Sequence, residues 1–153
     1  MASGIEIVHE AQSPRERTVF HVTSSPSILS LVQYTNKVSM NLYAENLFLH
    51  MQESDAVRAF LKEKGVDVSG FYMADGSGLS RQNLVTTKML AQVLVLMKDW
   101  DRSWLPAPKS GSMQGVRGLC GYKGSVAFAI LVNGALDCEE AQRHIDAFML
   151  MLP

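Results

Sequence analysis

The sequence predicts a mixed α/β (α+β) fold in which an antiparallel sheet is flanked by helices. Three observations carry that expectation. Residues 25–100 hold successive stripes of apolar side chains at helical spacing, residues 116–133 read as a β-hairpin, and one more helical stripe follows it. The 153 residues fit a single domain, 1–153, with room for a buried core.

Two short β-like runs, Ile5 to Val8 and Thr18 to Val22, are joined by a polar loop from Glu10 to Arg17. Ser25 then offers a helix cap and Pro26 suits the first helical position, ahead of Ile28, Leu31, Val32 and Thr35 on one face. A second stripe comprises Met40, Ala44, Leu47, Phe48 and Met51, with Glu45 and Asn46 off it. Ser54 is placed to cap a third helix carrying Val57, Phe60 and Leu61, which Gly65 ends. Asp75-Gly76-Ser77-Gly78 is a turn, its aspartate a turn former rather than a catalytic carboxylate. Thr86 or Thr87 opens a fourth helix that buries Leu90, Val93, Leu94 and Met97. The prolines of Trp104-Leu105-Pro106-Ala107-Pro108 make that segment stiff and non-helical.

The hairpin runs from Val116 to Tyr122, turns at Lys123-Gly124, and returns from Ser125 to Asn133. Its second arm, Val126 to Val132, is apolar on both faces, so helices are expected above and below the sheet. Asp137, with Glu140 three residues on, resembles a capping box. The helix it opens carries Ala141, Ile145, Phe148 and Leu152 on one face.

Composition narrows the function classes. A net charge of −1 gives no electrostatic footprint for nucleic acid or an anionic membrane. Cys120 and Cys138 form no Cys-x-x-Cys and are expected as free thiols. His9, His21, His50 and His144 lack ligand spacing, so no metal is expected, and no cofactor is implied. The first residues lack the basic and apolar regions of a signal peptide, and no apolar run is long enough to span a bilayer.

The chemistry lies in two short motifs. Lys109-Ser110-Gly111-Ser112 leads into the hairpin, and Ser39-Met40-Asn41 stands at the mouth of the second helix, 70 residues upstream. Serine enzymes that acylate on β-lactams and related peptides combine Ser-x-x-Lys, Ser-x-Asn and Lys-Thr/Ser-Gly. Here the last two are present, but no serine in the sequence has a lysine three positions on. Ordinary readings compete with the catalytic one. Ser39 and Asn41 suit a helix cap, Lys109 suits a sheet-edge lysine, and Glu45 suits a solvent-facing position.

Longer stretches carry a resemblance. Tyr34 to Leu47, Asp75 to Arg81, Lys109 to Val116, Gly121-Tyr122 and Ala127 to Asn133 resemble, in order, segments of the D-Ala-D-Ala carboxypeptidase/endopeptidases, the low-molecular-mass penicillin-binding proteins. The similarity runs from about Thr18 to the C-terminus. It implies a penicillin-binding protein/β-lactamase-like fold, incomplete at its N-terminus, with the chain as the C-terminal part of a transpeptidase-like domain. It implies acyl transfer through a serine ester, with peptidoglycan stem peptides and β-lactams as partners and a periplasmic or envelope location. By the same resemblance Ser39 relays the nucleophile's proton, Asn41 bonds the substrate backbone, and Lys109 supplies positive charge. Ser110 binds the terminal carboxylate, Gly111 keeps the strand edge open, and the Ser112 N–H is an oxyanion-hole donor. Without Ser-x-x-Lys the chain alone is expected to be inactive. A non-catalytic cell-wall-peptide binding module and a structural remnant are the alternatives. The apolar second arm, if left as an open edge, leads to the expectation of a homodimer or swapped oligomer.

Overall fold

A computed structural model describes residues 23–51 and 53–153; the β-like runs at 5–8 and 18–22 lie outside them. Four helices come first: α1 (Ile28–Val38), α2 (Asn41–His50), α3 (Glu53–Glu63) and α4 (Thr87–Leu96). A 3₁₀ turn at Arg102–Trp104 leads to strands β1 (Lys109–Met113), β2 (Val116–Lys123) and β3 (Val126–Asn133). Helix α5 (Cys138–Met151) closes the chain.

The caps show why the helices begin where they do. Ser27, not Ser25, caps α1: its hydroxyl accepts the Ser30 N–H, and Pro26 stays outside the helix. Thr86 caps α4 through the Met89 N–H, and Asp137 caps α5 through the N–H groups of Glu139 and Glu140. Met40 offers α2 no side-chain cap. Ser54 lies inside α3 rather than at its cap. It is buried, and its hydroxyl accepts the Met73 N–H at 3.0 Å, which fastens the following loop to the helix. Gly65 ends that helix at φ +77°, a left-handed geometry that glycine adopts without strain.

One cluster of buried side chains, Leu61, Val66, Phe71 and Met89, joins α3, the loop after it and α4. Met89 takes the deepest place on α4 together with Leu94, while Leu90, Val93 and Met97 are only half-buried. Phe60, expected in the core, is 52% exposed and instead lies against the Lys64 ammonium, 5.5 Å from its ring centroid. Ile28 and Met51, expected on the buried stripes of α1 and α2, are exposed as well.

The strands form an antiparallel meander in the order β1-β2-β3. Gln114-Gly115 connects the first pair, with Gly115 at φ +74°. The second turn is Gly124-Ser125, one residue later than the sequence suggests, with Lys123 paired to Val126. Adjacent residues on a strand point to opposite faces. The Tyr122 hydroxyl donates to Leu94 O of α4, whereas the Lys123 ammonium donates to Met149 O and Leu152 O at the end of α5. Helices therefore cover both faces, as the apolar β3 sequence requires. Among the described residues β3 has no neighbour on its outer side.

Helix α5 is seated through Ala141 and Ile145, the latter 1% exposed, while Phe148 further along the same face is 43% exposed. Ile145→Ala is therefore expected to cost about 2–5 kcal/mol in urea unfolding. Phe148→Ala is expected to stay within about 1 kcal/mol of wild type. Equal losses would contradict this placement of the core.

Candidate active site

Helix α1 ends in a tight reversal. The N–H groups of Ser39 and Met40 both bond to Thr35 O, and Ser39 adopts φ 57°, ψ 48°. Ser39 is the one non-glycine residue at positive φ among those described. A left-handed serine costs about 1–3 kcal/mol, so the surroundings must hold it. The reversal starts α2 at Asn41 and leaves both Ser39 and Asn41 exposed on one side.

The sheet comes to the same place through side chains of α1. Gln33 donates to Ser103 Oγ at 2.6 Å, and Asn36 donates to Trp104 O at 2.7 Å, fixing the 3₁₀ turn that precedes β1. Pro108 then lies flat against Gly121, where an added Cβ would stand 2.8 Å from Pro108 Cα. From there Lys109 extends across to α1. Its ammonium donates to Ser39 Oγ at 2.5 Å and to Ser110 O at 2.8 Å.

Ser39, Asn41, Lys109, Ser110, Gly111 and Ser112 all line one cleft of about 460 Å³. Lys109, Gly111 and Met113 alternate onto the sheet face shared by Gly118 and Leu131, which floors the cleft. A Cβ at Gly111 would meet no protein atom within 4 Å, so nothing inside the protein demands glycine there. At Gly118, by contrast, it would reach 2.9 Å from Leu131 Cδ2.

The backbone of β1 adds a second set of groups. A two-residue turn is closed by a hydrogen-bonded pair, here Met113 with Val116, and bonded pairs alternate along an antiparallel ladder. Gly111 and Lys109 therefore bond to β2, while the N–H and C=O groups of Ser110 and Ser112 face away from it. The bond from Lys109 to Ser110 O fits that orientation. The cleft is thus lined by a cation, the serines Ser39, Ser77, Ser110 and Ser112, a carboxamide and an unpaired strand edge.

The opposite wall is the loop containing Ser77, Gly78 and Leu79. Asp75 builds it from within, accepting from the Gly78 and Ser80 N–H groups, both at 2.6 Å, from Ser77 Oγ and from Asn83 Nδ2. Asn83 Oδ1 in turn accepts the Ala74 N–H. Arg81 ties the loop to the β1–β2 turn by donating to Gln114 O. Glu45, a solvent-facing residue on the sequence reading, is half-buried and accepts the N–H groups of Gly76 and Ser77. Its spacing of one helical turn from Asn41 was the available signal. The sequence holds no local sign of which loop it meets.

Burial tends to raise the Asp75 carboxyl's pKa, but the hydrogen bonds from Asn83, Gly78, Ser80 and Ser77 together hold it below the ordinary carboxylate value. Cys120, opposite Lys109 in the ladder, is a free thiol pushed up by burial and partly offset by that lysine. Among the described residues no group of His, Cys, Asp and Glu is arranged to hold a metal ion.

A depressed carboxyl stabilises the folded loop above the unfolded pKa, near pH 4, and that contribution is lost as pH falls through the lower folded value. Amide-exchange protection of Gly78 and Ser80 is therefore expected to be full at pH 6 and to decline below about pH 4. In Asp75→Asn the amide NH₂ faces the Ser80 N–H, so Ser80 should lose protection at every pH. Unchanged protection of Ser80 in that variant would contradict the assignment.

Comparison with known proteins identifies the family and the fold. The model of the D-Ala-D-Ala carboxypeptidase 3 (S13) family matches residues 2–107, well over half of the chain. The chain is 32% identical over 113 residues to the D-alanyl-D-alanine carboxypeptidase of Actinomadura sp. (strain R39), covering 51% of this chain and 21% of that protein. Its fold matches penicillin binding protein 4 from Haemophilus influenzae, solved in complex with a β-lactam. That match has a TM-score of 0.59 and 26% identity, and covers 71% of this chain and 35% of the other. The chain thus spans about a fifth of the curated relative and about a third of the solved one. An antiparallel sheet of the penicillin-binding type, and a family match over most of the helical region, place this chain in the D-Ala-D-Ala carboxypeptidase 3 (S13) family of peptidases.

Proposed function

We propose that the cleft is the peptide-binding half of a serine-type D-Ala-D-Ala carboxypeptidase/endopeptidase acting on peptidoglycan stem peptides, in the bacterial envelope. In this reading residues 1–153 are the C-terminal part of a transpeptidase-like domain. The observation that carries it is the contact between Lys109 and Ser39, which unites two motifs 70 residues apart beside an open strand edge.

Each group has work to do in acyl transfer. A peptide laid along β1 bonds to the outward N–H and C=O groups of Ser110 and Ser112, as an added strand does. The Asn41 carboxamide holds its backbone from the other side. Lys109 and the Ser110 hydroxyl take the terminal carboxylate at the rim. A side chain at Gly111 would occupy the peptide's path. The reaction forms an ester between a serine and the penultimate D-Ala carbonyl and breaks the bond to the last D-Ala. The departing amine needs a proton. Because Ser39 Oγ accepts from Lys109, its own proton is directed away from the lysine and toward the cleft. The Ser112 N–H faces the carbonyl oxygen as charge builds on it, a donor typically worth about a hundred- to thousand-fold in rate.

The attacking serine and its base come from a Ser-x-x-Lys, which these 153 residues do not contain. The chain by itself therefore binds without acylating. Incubation with a fluorescent penicillin is expected to leave no covalent adduct; a stoichiometric adduct would overturn this part of the reading. A peptide ending in D-Ala-D-Ala is expected to shift the amide signals of Ser110, Gly111 and Ser112 in NMR titration. Lys109→Ala should weaken binding at least about tenfold, the equivalent of one charge-assisted hydrogen bond. A silent titration would instead favour a structural remnant.

The outer edge of β3 gives a second expectation. Pairing Lys123 with Val126 turns the N–H and C=O groups of Ala127, Ala129 and Leu131 outward, where no described strand meets them. Unpaired apolar edges recruit another chain. We propose that a second copy pairs there, giving a homodimer or swapped oligomer. Light scattering at micromolar concentration should give at least twice the chain mass; a monomer would contradict it.

A further inference from the structure

We propose that Glu45 is a positioning residue, which sets the distance across the cleft by clamping the Ser77–Leu79 wall to the helix that carries Asn41. This deepens the peptide-site reading above and rests on it. The clamp is compact. The single oxygen Glu45 Oε2 accepts the Gly76 N–H at 2.8 Å and the Ser77 N–H at 3.2 Å. Glu45 lies one turn beyond Asn41 on α2, so the two side chains stand on the same side of the helix.

The loop packs closely against α2 at Gly76. A Cβ at Gly76 would collide with Phe48 Cβ and come within 2.5 Å of Ala44 O. The backbone at Gly76 therefore sits directly on the helix, and Glu45 provides acceptors for two N–H groups that the close approach would otherwise leave short of partners. Past that point, Asp75 folds the loop internally, and Arg81 carries its far end to Gln114 at the tip of the β1–β2 turn. Glu45 is thus the link between two walls: Asn41 on α2, and Ser77, Gly78 and Leu79 across from β1. It does not itself line that cleft, which separates its role from that of a substrate ligand.

The geometry distinguishes a hydrogen-bonding role from a charge role. Both N–H groups use one oxygen, so a glutamine can keep both bonds with its carbonyl while losing the charge. Alanine loses both. If the ordered wall is populated only a tenth of the time without the clamp, apparent peptide affinity falls about tenfold.

The test is NMR titration of the folded chain with a D-Ala-D-Ala-terminated peptide, with amide-exchange protection of Gly76 and Ser77 and the melting temperature measured in parallel. Glu45→Ala should lose protection at Gly76 and Ser77 and weaken the peptide about tenfold, while Glu45→Gln should recover both to within about threefold of wild type. If Glu45→Ala does not fold, Glu45→Asp, which retracts the acceptor by one methylene but keeps the charge, should show the same weakening. Wild-type affinity in either disrupting variant overturns the proposal alone. Weakening in Glu45→Gln equal to that in Glu45→Ala overturns it in favour of a charge effect. No peptide binding to the wild type overturns the peptide-site reading itself.

Discussion

The bond from Lys109 to Ser39 Oγ is the constraint around which the site is organised. It joins the last turn of α1 to the first residue of the sheet. A lysine ammonium has three N–H donors and bridges oxygen acceptors that lie within its reach. Here Ser39 Oγ and Ser110 O supply them. Asn36 and Gln33 repeat the same strategy one and two turns earlier, holding the 3₁₀ turn that aims β1. Three polar contacts from one helix thus fix the strand edge relative to the α1–α2 reversal.

That reversal explains the one strained residue among those described. A glycine at position 39 would relieve the left-handed geometry but leave Lys109 without its hydroxyl acceptor. The strain and the contact belong together: the turn presents Ser39 and Asn41 on one side, and the lysine bond holds the turn. The same division of labour recurs at the loop wall, where Asp75 supplies internal order and Glu45 and Arg81 supply attachment. At the loop wall the groups facing the cleft are held by neighbours that do not line it, whereas at the reversal the holder, Lys109, lines the cleft itself.

Much of this was legible in the sequence where the governing physics is local. The hairpin, the caps at Thr86 and Asp137, the left-handed stop at Gly65 and the Asp75 turn all follow from residues within a few positions of one another. The apolar run Val126 to Val132 announced a sheet covered on both faces, and α4 and α5 lie on its two sides, held by Tyr122 and Lys123 of the neighbouring β2. The clustering of Ser39, Asn41 and Lys109 to Ser112 was legible through resemblance of several ordered segments, which no single triplet could supply. What failed was decided by partners far away in sequence. Ser54 was read as a cap because its loop partner Met73 lies 19 residues on, and Glu45 as solvent-facing because Gly76 lies 31 residues on. Phe60, Phe148 and Ile28 follow helical periodicity faithfully, yet the structure leaves them largely uncovered, so the period marked a face without saying what would cover it.

On the proposed reading, the open strand edge, the Lys109 ammonium and the Asn41 carboxamide that line one cleft receive a short peptide with a terminal carboxylate. The most direct measurement is a crystal structure of the chain soaked with a D-Ala-D-Ala-terminated peptide. The expected result is a peptide lying along β1, its carboxylate at Ser110 and Lys109, its backbone on Asn41, and the Lys109–Ser39 bond intact. A peptide bound elsewhere, or an empty cleft in which Lys109 has swung away from Ser39, would contradict it.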